Sequence, residues 1–243
     1  MKRTIVVFAV LVVAMVAGQA AAKDINFTTG LLQGQFKDLS KEAGAALAYH
    51  NVAPAGPLGI TGFDAGVEVS AISIKKESAQ WKSAFNQDAP DYLLIPRLRV
   101  RKGLPLGIDL GAMYAYVPDS NVKLFGFEVG KSILDGTAAT PALGVRATYT
   151  RLTGVADLGL QTAGVDATIS KGFVIVTPYV GGGMLWIDNR PKGAVIGALK
   201  EEKIWLPRGF AGLKISPFPF FAVTAEAEYA VRPIFSLKAA INF

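Results

Sequence analysis

The sequence predicts an all-β fold: a transmembrane antiparallel up-and-down β-barrel of about ten strands, preceded by a short N-terminal helix. Three observations predict it. Beyond its first residues the chain has no apolar run approaching the ~20 residues that a helix needs to span a bilayer. From Gly59 onward, segments of roughly 10 to 14 residues alternate apolar and polar positions between turn residues, as strands do with one face on lipid and one on a polar interior. The chain then stops in mid-strand on "PIFSLKAAINF", with Phe235, Leu237, Ala239, Ile241 and Phe243 on one face and Ser236, Lys238, Ala240 and Asn242 on the other. A chain that crosses lipid without helices has to close its sheet, because only closure satisfies every backbone N–H and C=O there.

The opening "MKRTIVVFAVLVVAMVAGQAAAKD" places Lys2 and Arg3 before an apolar run from Thr4 to about Ala17, followed by Ala20, Ala21 and Ala22. That order is expected of a signal peptide over residues 1–22, cut after Ala22, so the mature chain is exported. With Cys 0 it forms no disulfide and has no lipid-anchor acceptor at the cleavage site. Without Lys2 and Arg3 the 25 basic residues fall to 23, against 19 acids, a modest +4. With no dense basic run, nucleic acid is not expected as a partner.

Residues 23–58 precede the barrel, which is expected over residues 59–243. In "QFKDLSKEAGAALAYH", Phe36, Leu39, Ala43, Ala46 and Leu47 recur at helical spacing, with Lys37, Asp38, Lys41 and Glu42 elsewhere on the wheel. Pro54 and Pro57 end any helix and lead into the first strand. Two placements of this periplasmic helix stay open. It tucks into the periplasmic mouth as a plug, with Phe36, Leu39, Ala43 and Leu47 inward, or it lies on the membrane surface or stays partly disordered.

The strands follow in order. In "GFDAGVEVSAI" the apolar Phe63, Ala65, Val67, Val69 and Ala71 interleave with Asp64, Gly66, Glu68 and Ser70, which sets the first strand at Gly62–Ile74. In "IPRLRVRK", Pro96, Leu98 and Val100 alternate with Arg97, Arg99 and Arg101, within a strand at Leu93–Lys102. The same reading gives Leu106–Val117, Val122–Ser132, Ala142–Leu152, Leu158–Ser170, Val174–Ile187, Ile204–Ser216, Phe220–Tyr229 and Ile234–Phe243. Two connections are long, Lys75–Asp91 and Asn189–Lys203. An even strand count with the carboxyl end in the periplasm puts both outside the cell, as short-inside, long-outside topology requires. Tyr114, Tyr116, Tyr149, Trp186, Trp205 and Tyr229 then have lipid-facing parity at the extracellular strand ends, and Phe63, Phe221 and Phe243 mark the other interface.

On this pattern, from about Gly59 to Phe243, the chain resembles bacterial outer-membrane β-barrel proteins. The sharpest match is its end, where Leu237, Ala239, Ile241 and Phe243 fill the alternating places before and at a terminal aromatic. The resemblance implies that these residues form the signal read by the barrel-assembly machinery, and that the chain sits in the outer membrane of a Gram-negative bacterium. It implies no particular activity.

Strand parity sends Asp64, Glu68, Arg97, Arg99, Arg101, Asp109, Glu128, Arg146, Asp166, Arg208, Lys214, Glu226, Glu228 and Lys238 into the lumen. Buried charges are tolerable when paired, and Glu68 with Arg97 or Arg99, and Asp109 with Arg101, are placed to pair. A barrel this narrow is either filled by such a network or holds a small pore with the arginine ladder as its constriction. Inward glycines such as Gly126 and Gly144 leave room for either. Enzymatic chemistry is disfavoured. The single histidine, His50, lies before the barrel, there is no His/Cys cluster for a metal, and the inward pair Glu226 and Glu228 is more simply read as counter-charge. No cofactor is expected. The function expected is a small pore or gated channel for small solutes. The alternative is a closed structural or surface-interaction barrel that presents the two long connections, where Trp81 and Phe85 suit contact with lipopolysaccharide or a partner. Outer-membrane lipid and lipopolysaccharide are its expected surroundings, and a monomer its expected state.

Overall fold

The structure is a computed structural model that describes residues 31–84, 90–117, 121–193 and 199–243. The expected signal peptide and its cleavage site lie outside the described residues, as does Phe85. Ten antiparallel strands close into a barrel: β1 (Phe63–Ser73), β2 (Tyr92–Leu104), β3 (Ile108–Tyr116), β4 (Lys123–Leu134), β5 (Ala142–Thr153), β6 (Leu158–Ser170), β7 (Val176–Pro191), β8 (Glu202–Phe218), β9 (Phe221–Tyr229) and β10 (Pro233–Asn242). Each pairs with its neighbour in sequence, and β1 closes on β10 from Asp64↔Asn242 to Ile72↔Ile234. Closure removes both sheet edges, so the backbone is paired all round the wall.

Strand ends follow local chemistry. The third strand starts at Ile108 and not at Leu106, because Leu106 takes a positive φ of 65° in the Pro105–Gly107 turn. β7 and β8 outrun their expected lengths, since their pairing continues through Asp188↔Lys203 and Asn189↔Glu202.

The two rims differ. One, here the terminal rim, carries Phe63 at the start of β1 and the chain end, with the connections β2–β3, β4–β5, β6–β7 and β8–β9. The other, the loop rim, carries the long β1–β2 and β7–β8 connections, the former containing the short helix α2 (Ala79–Ala84). Between the rims the outer face is apolar, with Leu98, Phe127, Val129, Val165, Val180 and Leu237 all exposed.

The expected helix forms over Gln33–Leu47 (α1), and its place is the main correction to the sequence reading. It does not seal the terminal rim, where β1 begins. It enters the lumen from the opposite, loop rim. Its outer turn leaves Lys37 and Asp38 exposed, whereas every residue from Glu42 to Ala53 is buried. At its outer end the Gln33 side-chain amide donates to Lys200 O at 3.2 Å, and further in Asn189 Nδ2 donates to Ser40 Oγ at 2.7 Å. Beyond Leu47 the chain runs extended through the barrel to the Gly59–Gly62 turn and so into β1. The helix stops seven residues before Pro54, where the Ala46 carbonyl accepts from Arg97 Nη2 at 2.9 Å and Ala48 is already extended. The side chains of the wall, not the prolines, end it.

Candidate functional site

The lumen is the candidate site, and its inward residues fall into three tiers. Nearest the loop rim they are apolar. Ile72, Ile95, Leu124, Leu152, Leu160, Leu185, Ile187 and Ile234 form one buried cluster with Phe36, Leu39, Ala43 and Leu47 of α1. Burial of these side chains, at about 25 cal/mol per Å² of apolar surface, is what draws the helix in. The fit is close. A Cβ on Gly44 would come within 2.5 Å of the Ile187 side chain, so helix and wall meet with no space between them. Trp81 is not presented outward: it is buried against α1, its indole N–H donating to the Glu42 carboxylate.

The middle tier is charged. Glu68 accepts from Arg97 at 3.0 Å and from Arg99 at 2.6 Å, and Glu128 lies 3.3 Å from Arg99 and 3.6 Å from Arg146. Arg101 pairs with Asp109 at 3.0 Å and also with Glu128. On the other wall Arg208 Nε donates to Asp166 at 2.8 Å, and Arg208 Nη1 lies 3.9 Å from Glu228. Glu68, Glu128, Asp109 and Glu228 each have two or more partners, and Asp166 takes two bonds from Arg208 alone, so these ions are paired, the condition under which buried ions are tolerable. Glu226 lacks an arginine and accepts instead from Tyr179 Oη at 2.8 Å and from the Val52 backbone N–H at 2.9 Å.

The unexpected member of this tier is the chain's own backbone. Four of the five lumenal arginines donate into it: Arg97 to Ala46 O, Arg208 to Tyr49 O at 3.0 Å, and Arg99 and Arg146 to Asn51 O at 3.3 and 3.0 Å. Arg99 also stacks over the Tyr49 ring, 4.4 Å from its centroid. His50 Nδ1 meets Glu228 at 3.1 Å, which makes it a structural partner in the network. Val52 is held at a φ of 38°, a strained position for a β-branched residue that persists only where the surroundings determine it. The room left by inward glycines is filled by this segment. A Cβ on Gly126 would lie 2.8 Å from the Tyr49 ring, and one on Gly144 would lie 2.9 Å from Ala55 O.

The third tier, at the terminal rim, is open. A cavity of about 320 Å³ lies beneath Ala53–Leu58, lined by Asp64, Lys238, Lys214 and the hydroxyls of Ser170, Thr177 and Thr224. Lys238 pairs with Asp64 at 3.2 Å, while Lys214, half-buried, lines the cavity wall. Ala55 N–H donates to Ser170 Oγ at 3.1 Å and Leu58 N–H to Asp109 at 3.1 Å, anchoring the segment as it leaves.

All fourteen charged positions assigned by parity therefore face inward, thirteen of them buried and Lys214 half-buried. Leu237, Ala239, Ile241 and Phe243 face outward on β10 and past its end, and Tyr114, Tyr116, Tyr149, Trp186, Trp205 and Tyr229 face outward in the loop half. Sequence reasoning missed the threading of residues 48–58. A signal for it existed: inward positions turn from charged to apolar in the loop half of most strands, and an apolar lumen end needs an apolar occupant. No group of His, Cys, Asp and Glu that would hold a metal occurs among the described residues.

No protein-family model and no curated protein matches the chain. Among solved structures it is similar to the N-terminal β-barrel domain of Pseudomonas aeruginosa OprF, at 15% identity and TM-score 0.35, over 73% of this chain and 97% of that one. It is similar to Ail, the attachment invasion locus protein of Yersinia pestis, at 14% identity and TM-score 0.32, over 75% and 97%. A third is the KdgM porin, at 9% identity and TM-score 0.36, over 75% and 99%. At these scores the likeness is one of general shape. By its own geometry, a closed ten-stranded sheet with an apolar outer face and a charged lumen, the chain is a small barrel of the outer-membrane type.

Proposed function

We propose that the protein is a surface-exposed barrel of the Gram-negative outer membrane, closed to solutes by its own N-terminal segment and acting through its loop rim. One observation carries this reading: residues 42–53 are buried throughout the lumen and accept hydrogen bonds from Arg97, Arg99, Arg146 and Arg208. Every arginine that would line an ion path is committed to a carboxylate, to this backbone or to both. The surface that remains to act is the loop rim, made of α1, α2 and the β7–β8 connection. The terminal rim, with its short turns, faces the periplasm in this reading.

The test is single-channel recording of the full-length protein in planar bilayers. Silence across a wide voltage range is the expected result, and stable conductance steps from the unmodified protein would overturn the reading. A gated pore is the second reading. It is favoured by one feature, that the segment joins the wall covalently only at Gly59–Gly62, above the open cavity at the terminal rim. Steps that appear only under strong voltage and reverse on its removal would favour it.

A further inference from the structure

We propose that the outer face of β4–β8, just beyond the aromatic row near the loop rim, binds the phosphate groups of a phosphorylated glycolipid in the outer leaflet. This rests on the orientation proposed above, with the loop rim outward. The register places Phe127, Tyr149, Trp186 and Trp205 in one outward row, through Phe127↔Tyr149 and Trp186↔Trp205, with Ala163 between Tyr149 and Trp186. Aromatic rings in such a row mark the level of the lipid headgroups.

One step nearer the rim the same face turns cationic. Arg151 stands opposite Phe125 and Gln161, Lys123 opposite Tyr116 and Thr153, and Lys192 follows β7 beside Gly159. All three are exposed, and none has a hydrogen-bond or ion-pair partner among the described residues for its side chain. Arg190 and Lys203 join the strip but are shared with Asp188 and Glu201. Near the same rim the outward positions of β9, β10, β1, β2 and β3 hold Tyr229, Phe235, Ala71, Leu94 and Tyr116, and no charge. Among outward strand positions near this rim the cations therefore lie on β4–β8; on the opposite side the connections carry Lys75, Lys76, Lys82 and Arg232, of which the last three pair with Asp91, Glu77 and Glu42.

The terminal rim supplies the contrast. Its outward lysines are all satisfied by the protein itself: Lys102 Nζ donates to Gly62 O at 3.1 Å, Lys131 to Leu106 O, and Lys171 to Ala138 O at 2.8 Å. Where the protein offers carbonyls, lysines take them; where it leaves Arg151, Lys123 and Lys192 free at headgroup depth, a lipid anion completes them. Arginine suits phosphate through its paired N–H donors, and lysine as a point charge. A glycolipid with two phosphates spans neighbouring strands and so meets more than one of these cations.

The test uses the full-length protein in nanodiscs of phosphatidylcholine containing a small fraction of bisphosphorylated lipid A, with native mass spectrometry counting the lipid retained on extraction. The wild type is expected to retain lipid A about tenfold or more over its dephosphorylated form, as three surface cations near an anionic headgroup imply. The variant Lys123→Gln/Arg151→Gln/Lys192→Gln should lose that preference, and Lys102→Gln/Lys131→Gln/Lys171→Gln should keep it. Equal retention of both lipids by the wild type, or an unchanged preference in the first variant, would overturn the proposal. Displacement of lipid A by an equal fraction of phosphatidylglycerol would overturn the glycolipid assignment, leaving a strip that reads any anionic headgroup. Folding is monitored by heat-modified electrophoretic mobility; should the triple variant fail to fold, Arg151→Gln alone reads the same preference, with a partial loss expected. The readout is independent of conductance, so failure here and failure of the closed-barrel reading are separate results.

Discussion

Phe63 and Phe243 are bonded to each other at the barrel seam: Phe63 N–H donates to Phe243 O at 2.7 Å, Phe243 N–H donates to Phe63 O at 3.0 Å, and their rings lie 5.7 Å apart. The last residue of the chain is thus the outermost rung of the ladder that closes the sheet. Phe220 adds an edge contact to the Phe243 ring, 6.5 Å between centroids. Substituting Phe243→Asp places a charge on the lipid face of that seam. The expected outcome is a severalfold loss of folded barrel in the outer membrane, read by heat-modified mobility of membrane fractions. Wild-type levels would mean that the seam closes without this residue.

Glu68 is the hub of the middle tier, fully buried between Arg97 and Arg99 and accepting also from Ser70 at 3.2 Å. Glu68→Ala strands two buried guanidinium groups. A loss of about 3–5 kcal/mol is expected, because removing one partner leaves the other charges uncompensated. Urea unfolding in lipid bilayers measures it. Glu68→Gln, which keeps acceptor capacity, should cost less.

Gly44 tests the contact between helix and wall. Gly44→Val forces atoms into the space held by Ile187 and should destabilise the docked helix by about 1–3 kcal/mol, the usual cost of overpacking. If the segment is what closes the lumen, this variant leaks small solutes in a liposome-swelling assay while the wild type does not. A variant that unfolds less readily than the wild type would show that the helix is not wedged there.

The threading gives a topological prediction. Leu32, exposed at the outer end of the segment, belongs with the loop rim, and Phe220 with the terminal rim. The absence of native cysteine gives a clean background. In intact cells Leu32→Cys should react with a membrane-impermeant maleimide, and Phe220→Cys only after the outer membrane is permeabilised. The reverse pattern would invert the barrel.

How much of this was legible in the sequence depends on how far each signal has to travel. The ten strands, their inward and outward faces and the pairing of Glu68 with the arginines of β2 were readable, because alternation is a local consequence of strand geometry and each residue reports its own face. The helix was readable too, from the spacing of Phe36, Leu39, Ala43 and Leu47. Its position was marked by no single segment. Ile72, Leu124, Leu160, Ile187 and Ile234 lie far apart in sequence and converge on one end of the lumen only when β10 closes on β1. Likewise nothing local in residues 46–51 marks their carbonyls as the acceptors for Arg97, Arg99, Arg146 and Arg208. Backbone oxygens are the same at every residue, and which of them meets a guanidinium is decided by the depth at which the apolar tier holds the helix. By itself the sequence determined the barrel, its two faces and the charges within it; the tertiary structure alone decided that the chain fills its own lumen, and from which rim, because that choice rests on burial summed over all ten strands at once.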